Sequence, residues 1–325
     1  MAVYARERYF LMTVDPVHIG TGGYRLGGVD LSIVREPGTK VPKIPGTSLS
    51  GATRTYAASQ YGSLRCAGQG QPKENREGHC GRPECPICYT FGSLKEIEEK
   101  GEKKIIAHSG VVNLFDARLV LFPVHSMIGP VWVSTAQRLK DADFKLPDSL
   151  PSVPMEAGLY TWDRPDPLNL GWLMLDAGPR IGIEAPTEWT GEERWHAVRD
   201  HIVLVQEALF GQVVNSNLEV RTSVSIDPER GAAEEGALFT YEAIPRAAFL
   251  ASDVVLDDYR DGEKKRRFPV EKTYDGRPLP NGPWKTPLDV VRAGFRLMAW
   301  LGVGGMGTRG FGRVALVGKP KEDRT

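Results

Sequence analysis

The chain has 325 residues, of which 41% are apolar, and its 41 basic and 41 acidic side chains cancel. That is enough length and apolar content for one large domain or two ordinary ones. Neutrality excludes a global electrostatic field, so a polyanion would have to be met by a local basic patch. No stretch reads as a membrane-spanning helix, and the N-terminus, MAVYARERYFLMTVDP, lacks a signal peptide's apolar core. Both features predict a cytoplasmic protein with no membrane partner.

Residues 9–14 have strand composition. The next stretch, His18 to Arg54, reads HIGTGGYRLGGVDLSIVREPGTKVPKIPGTSLSGATR. Gly20, Gly22, Gly23, Gly27 and Gly28 free the backbone to lie close to a ligand. One carboxylate, Asp30, precedes a short strand over 31–35, and a Pro-rich turn leads into a helix predicted over Ser48–Tyr61 with Gly62 as its stop. Leu49, Ala52 and Tyr56 give that helix a buried face, and its first N–H groups suit a phosphate. Arg25, Arg35, Lys40, Lys43 and Arg54 outnumber Asp30 and Glu36, which favours an anionic partner. Composition equally permits a capped surface loop with solvated charges.

All four cysteines, Cys66, Cys80, Cys85 and Cys88, fall within 23 residues, the last two as Cys-Pro-Ile-Cys. A secreted chain would pair them as two disulfides. A reducing compartment favours a tetrahedral Zn²⁺ site, with His79 as an alternative to Cys66 for the fourth ligand. The surrounding segment, 62–92, has too little apolar content to fold by burial, so a structural zinc would supply its stability. Redox chemistry is the lesser alternative, because no βαβ pattern surrounds the motif.

Gly92–Lys104 reads as a solvated charged segment and Val111–Pro123 as paired strands. Asp116 and Arg118 flank those strands, and an Arg-paired Asp116, with His125 and Ser126, is expected near the same surface. Residues 140–190 have weak periodicity and read as an irregular insertion in which Trp162 and Trp172 pack. A capping box, Thr190-Gly-Glu-Glu193, opens a helix predicted to reach Phe210, with Trp195, Val198, Ile202, Val205 and Leu209 on one face. Residues 220–250 read as a β-hairpin with a long polar loop. The basic run Glu263–Arg267 reads as a solvated loop, and Thr286-Pro287 starts a helix lined by Leu288, Val291, Phe295, Met298 and Leu301 and stopped by Gly302. The GxGxxG at Gly302, Gly304 and Gly307 follows a helix and precedes a strand, the wrong context for a dinucleotide fingerprint. Its exposed N–H groups and Arg309 could line a phosphate groove instead.

Lys43-Ile-Pro-Gly-Thr-Ser-Leu-Ser-Gly-Ala-Thr-Arg54 resembles the IPGSSLKG-type signature of the RAMP superfamily, the RNA-binding subunits of CRISPR effector complexes. Other blocks agree in order: His18-Ile-Gly-Thr-Gly, Gly28-Val-Asp-Leu, Phe115 to Ser126, Ile226-Asp-Pro-Glu-Arg-Gly, Glu235-Gly-Ala-Leu-Phe and Gly304 to Gly312. The resemblance implies an α+β fold: one RAMP domain over 1–325, a modified ferredoxin-like (RRM-type) palm with a β-hairpin thumb at 218–250 and the zinc-binding insertion. It implies a repeated crRNA-binding backbone subunit of a type III complex. Copies would stack head to tail along guide crRNA with target RNA and other CRISPR effector subunits as partners. RNA contacts would come from His18, Gly20, Lys43, Ser48, Ser50, Arg54, Gly304, Gly305 and Arg309, with Ser50 standing where the signature often has Lys. Asp30 aligns with an Asp that cleaves target RNA at regular intervals, a role Mg²⁺ or another divalent ion would assist. The alternative is a stand-alone guide-RNA-processing endoribonuclease using His18 or His125 as acid or base.

Overall fold

Residues alternate faces along a strand, and the first strand applies that rule on two buried sides. In the computed structural model, which describes residues 3–22, 29–68, 78–99, 101–163, 166–234, 238–260 and 268–324, β1 (Val3–Thr13) sends Tyr9 and Leu11 into one core and Phe10 into another. The following elements are β2 (Lys43–Ile44), α1 (Gly46–Tyr61), α2 (Pro86–Phe91), β3 (Ser93–Glu99) and β4 (Glu102–His108). Next come β5 (Val112–Leu114), β6 (Ala117–Ser126), β7 (Gly129–Ser134), α3 (Ala136–Asp141), β8 (Ala157–Tyr160), β9 (Leu168–Leu170) and β10 (Leu173–Arg180). The middle of the chain supplies α4 (Glu193–His196), β11 (Ile202–Leu204), α5 (Glu207–Ser216), β12 (Glu219–Ser223), β13 (Ile226–Asp227), β14 (Ala232–Ala233) and β15 (Phe239–Ala243). It ends with β16 (Phe249–Asp258), α6 (Pro287–Leu301), β17 (Val314–Leu316) and β18 (Lys321–Arg324).

The fold is mixed α+β. Among the described residues, a 12-stranded sheet runs β17-β1-β16-β6-β7-β11-β8-β10-β9, with β18 on β1, β2 on β6 and β5 on β16. The helices α1 and α6 cover one face. Phe295 stacks on Tyr9 with ring centroids 4.5 Å apart, and Leu288, Val291 and Met298 join the same core. The two helices meet where α6 has Gly294, since a Cβ there would lie 2.4 Å from the Thr53 carbonyl oxygen. Trp189, Trp195, Phe144 and Leu139 cover the other face, against Phe10, Val120, Leu121 and Phe249.

Sequence and structure agree on the end of α1 and on both ends of α6, whereas α4 is capped by Glu192 rather than by Thr190. Thr286 and Asp289 form a reciprocal capping box on α6, and Gly62 closes α1 in the left-handed region, although Leu301 is 57% exposed and lies outside the apolar face. They disagree at 193–210: α4 spans one turn, Ile202–Leu204 is a fully buried strand, and α5 starts only at Glu207. The continuous Ile-Val-Leu-Val run suits a buried strand as well as a helix face, and pairing with β7 and β8 decides for the strand. Residues 140–190 are not irregular throughout, because β8, β10 and β9 extend the main sheet. Trp162 packs on Tyr160, while Trp172 is 69% exposed at the β9–β10 turn. The charged segment at 92–104 is the β3–β4 hairpin, and β5 and β6 both pair with β16 rather than with each other. Arg25, Gly23, Gly27, Gly28, Glu235–Ala237 and the basic run Glu263–Arg267 lie outside the described residues.

Candidate functional site

The two Gly-rich blocks, at opposite ends of the chain, lie against each other. The Gly305 N–H donates to the His18 carbonyl at 2.9 Å, and the Gly312 N–H donates to Pro16 at 2.9 Å. Gly304 has φ of 90°, and a Cβ on it would sit 2.5 Å from the His18 carbonyl oxygen, so this contact requires glycine. Gly304, Gly305 and Arg309 are exposed on the outer side of the loop. His18 is only 5% exposed. Its Nδ1 lies 2.6 Å from the Glu242 carbonyl oxygen. A carbonyl only accepts, so Nδ1 carries the proton and Nε2 is the ring's acceptor when neutral.

Asp30 meets the same hairpin one residue pair further on. Leu31 bridges Tyr241 in parallel register, and β15 pairs antiparallel with β12. The Asp30 carboxylate accepts from the Thr240 N–H at 2.7 Å and from the Thr240 hydroxyl at 3.0 Å. These bonds, the backbone one first, hold the exposed Asp30 carboxyl below the usual carboxylate range. Behind Asp30, Tyr241, Phe311, Phe239 and Leu31 form a small apolar cluster. Arg221 lies over Phe311 at 4.7 Å and Arg309 over Phe239 at 5.1 Å. Thr240, Tyr241 and Glu242 carried no signal as site residues in the sequence, since each acts on a segment more than 200 residues away. Glu242 also accepts from Arg35 at 2.8 Å.

The start of α1 is arranged differently from expectation. Asp116 pairs with Lys43 at 2.5 Å rather than with an Arg, and it accepts the Gly46 N–H at 2.8 Å. It thus caps the helix in place of Pro45, which has no side-chain cap to offer. Lys43 is also 3.2 Å from Glu36, so its charge is already met by two carboxylates. Ser48 and Ser50 are half-buried in the first turns of α1. Arg54 is 9% exposed and donates to the carbonyls of Cys66 at 2.7 Å and Gly92 at 2.9 Å. Its position on the buried side of α1, next to the cysteine segment, dictates this. His125 is exposed at the β6–β7 turn, where its carbonyl accepts from Gly171 and where Ser126 bonds Gly129. It therefore belongs to a different set of elements from His18 and Asp30.

The four cysteines converge, buried, with all sulfurs within 4.8 Å of one another. Cys66 Sγ is 3.7 Å from Cys85 and 3.6 Å from Cys88, and Cys80 is 3.6 Å from Cys88. These spacings are far beyond a disulfide's ~2.05 Å. They approach the ~3.8 Å edge of a tetrahedron with ~2.3 Å metal–thiolate bonds, so the cluster is able to coordinate a metal ion. The surrounding sulfurs, Cys80 first, draw the Cys66 thiol far down, while Cys66 pushes the Cys85 and Cys88 thiols up. A divalent ion bound among them would let all four ionise together. His79 is outside this set. Its Nδ1 accepts from the Leu94 N–H at 3.0 Å and its Nε2 donates to the Ala67 carbonyl at 3.1 Å, so Cys66 is the fourth candidate ligand.

The family model of the RAMP superfamily matches residues 10–315. The chain belongs to the RAMP superfamily. This RAMP chain is 24% identical over 263 residues to the CRISPR system Cmr endoribonuclease Cmr4 of Pyrococcus furiosus, covering 76% of the chain and 80% of the relative. It is 21% identical over 241 residues to the CRISPR system Cms endoribonuclease Csm3 of Methanothermobacter thermautotrophicus, covering 70% and 89%. In fold it resembles a chain of the type III-B Cmr-beta complex bound to cognate target RNA, with a TM-score of 0.59, 15% identity and 96% of each chain covered. It also resembles oligomeric Cmr4 from Pyrococcus furiosus, with a TM-score of 0.52, 16% identity and 100% and 99% covered. Among the described residues, no helix of this RAMP chain is long and apolar enough to cross a membrane.

Proposed function

We propose that this RAMP chain is the repeated crRNA-binding backbone subunit of a type III-like CRISPR effector that cleaves target RNA at regular intervals through Asp30. The observation that carries this reading is the single surface on which the Gly304–Gly305 loop, the His18 segment and the Asp30 carboxylate meet. Names of relatives, Cmr4 and Csm3 endoribonucleases, agree with it. The sheet with α1 and α6 is the ferredoxin-like palm, the β12–β15 hairpin the thumb, and 62–92 the zinc insertion. Copies stack head to tail, a heterologous contact that builds open filaments. Protein grips ribose and phosphate, and guide pairing reads sequence. The exposed Gly304–Gly305 loop, with Arg309, Ser48 and Ser50, supplies the grip. His18, Gly20 and Lys43 act behind them by holding the loop and the start of α1 in shape.

The chemistry assigned to Asp30 is that of a carboxylate kept ionised beside the scissile ribose, where it orients or accepts the 2′-OH proton. One Asp30 oxygen is bonded to Thr240. The other has no partner from another residue among the described residues, which suits shared binding of a divalent ion by Asp30 and RNA phosphate oxygens. When bound, such an ion supplies charge neutralisation at the phosphate. In the cysteine cluster Zn²⁺ fits best: four thiolates in a closed, buried set leave no open catalytic position. The deciding experiment is Asp30→Ala in the assembled complex. Target cleavage is expected to disappear with guide and target binding retained, and unchanged cleavage would overturn the assignment.

A further inference from the structure

Every hydrogen-bonding group of Thr240 is directed at Asp30 and Leu31. The Thr240 N–H and hydroxyl both donate to Asp30 Oδ2, the Asp30 N–H donates back to the Thr240 hydroxyl at 3.1 Å, and the Leu31 N–H donates to the Thr240 carbonyl at 3.0 Å. Thr240 belongs to β15, the return strand of the hairpin, and stands opposite Thr222 of β12. On either side of it, Phe239 lies under Arg309 and Tyr241 packs against Phe311. The segment that carries Asp30 is therefore bridged alongside the hairpin's return strand, and its carboxylate has no other described side-chain partner.

The geometry points to Thr240 as a positioning residue: it clamps one oxygen of the Asp30 carboxylate, so that the hairpin's docking on the Gly-rich loop sets where the other oxygen faces. This inference rests on Asp30 being the cleaving group. It goes further by tying the reacting carboxylate to the β12–β15 hairpin, so a displaced hairpin displaces the carboxylate with it. Two donors on one oxygen also favour the charged form, in line with the lowered carboxyl of Asp30, to which Thr240 contributes first through its backbone and then through its hydroxyl.

The test uses complexes assembled with guide RNA and partner subunits. Thr240→Val keeps the branched shape and the backbone bond but removes the hydroxyl. Single-turnover cleavage is expected to fall about tenfold, the loss that goes with one charge-assisted hydrogen bond, with target affinity unchanged. The acid limb of the pH–rate profile is expected to move toward neutral pH, because a carboxylate with one fewer donor needs less acid to protonate. Thr240→Ser, which restores the hydroxyl, is expected to recover both rate and profile. Wild-type rate and profile in Thr240→Val, with Asp30→Ala inactive, would overturn the positioning role alone. Full activity in Asp30→Ala would instead overturn the underlying assignment.

Discussion

A buried guanidinium and an exposed carboxylate do opposite work within a short stretch of chain. Arg54 ties α1 to the cysteine segment through the Cys66 and Gly92 carbonyls, whereas Asp30 faces solvent with one oxygen held by Thr240. Truncating Arg54 strands buried acceptors, so Arg54→Ala is expected to cost about 2–3 kcal/mol. Denaturant unfolding checks the cost, and RNA affinity of the protein that stays folded is expected to be unchanged. Asp116 makes a second case. Burial pushes its carboxyl up, but the Lys43 ammonium and the Gly46 N–H outweigh burial and hold it below the usual range. A depressed folded value contributes stability that is complete above the unfolded value and lost as pH falls through the folded one. The stability gap between wild type and Asp116→Asn is therefore expected to be full at neutral pH and to close on acidification, which unfolding curves at several pH values would show. Asp116 as an ion-paired carboxylate at a strand end was legible in the sequence. Its Lys43 partner was not, because a strand pairing, β2 on β6, brings the two together.

The cysteine segment and the α1–α6 crossing carry the element-scale predictions. Cys66, Cys80, Cys85 and Cys88 are not short of apolar neighbours, as the sequence suggests, but share a buried cluster with Ile87, Leu279, Trp284 and Val290, to which a bound metal would add stability. Metal analysis is expected to find about one zinc per chain. A strong chelator or Cys85→Ser is expected to lower the melting temperature while releasing that zinc, and a fully stable, metal-free protein would contradict this. At the crossing, Gly294→Ala would press a methyl onto the Thr53 carbonyl oxygen 2.4 Å away. It is expected to destabilise by about 2 kcal/mol, measured by denaturant unfolding. Elements with local signals were readable: α6 from its Thr286-Pro287 start and Gly302 stop, α1 from its glycine stop, the β12–β15 hairpin from its long polar loop. The segment from Glu193 to Phe210 was misread because its apolar spacing fits two periods, and only β7 and β8 choose between them. The same limit hid Thr240, whose partner Asp30 is brought to it by the fold of the whole chain.

Across the molecule, Pro16 to Ile19, Leu31, Tyr241 to Ile244 and Val303 to Gly312 converge from the beginning, middle and end of the chain on one surface beside the hairpin. Under the proposed function, such a hub would present a loop for phosphate, a carboxylate for ribose and a hairpin for a neighbouring copy. In the proposed stack, copies without net charge would not repel one another through a global field. The most direct test is native mass spectrometry of the complex purified with its guide RNA and partner subunits. Several copies of this chain on one guide RNA are predicted, and a longer guide is predicted to carry more of them. A single copy per RNA, whatever the guide length, would contradict the backbone assignment.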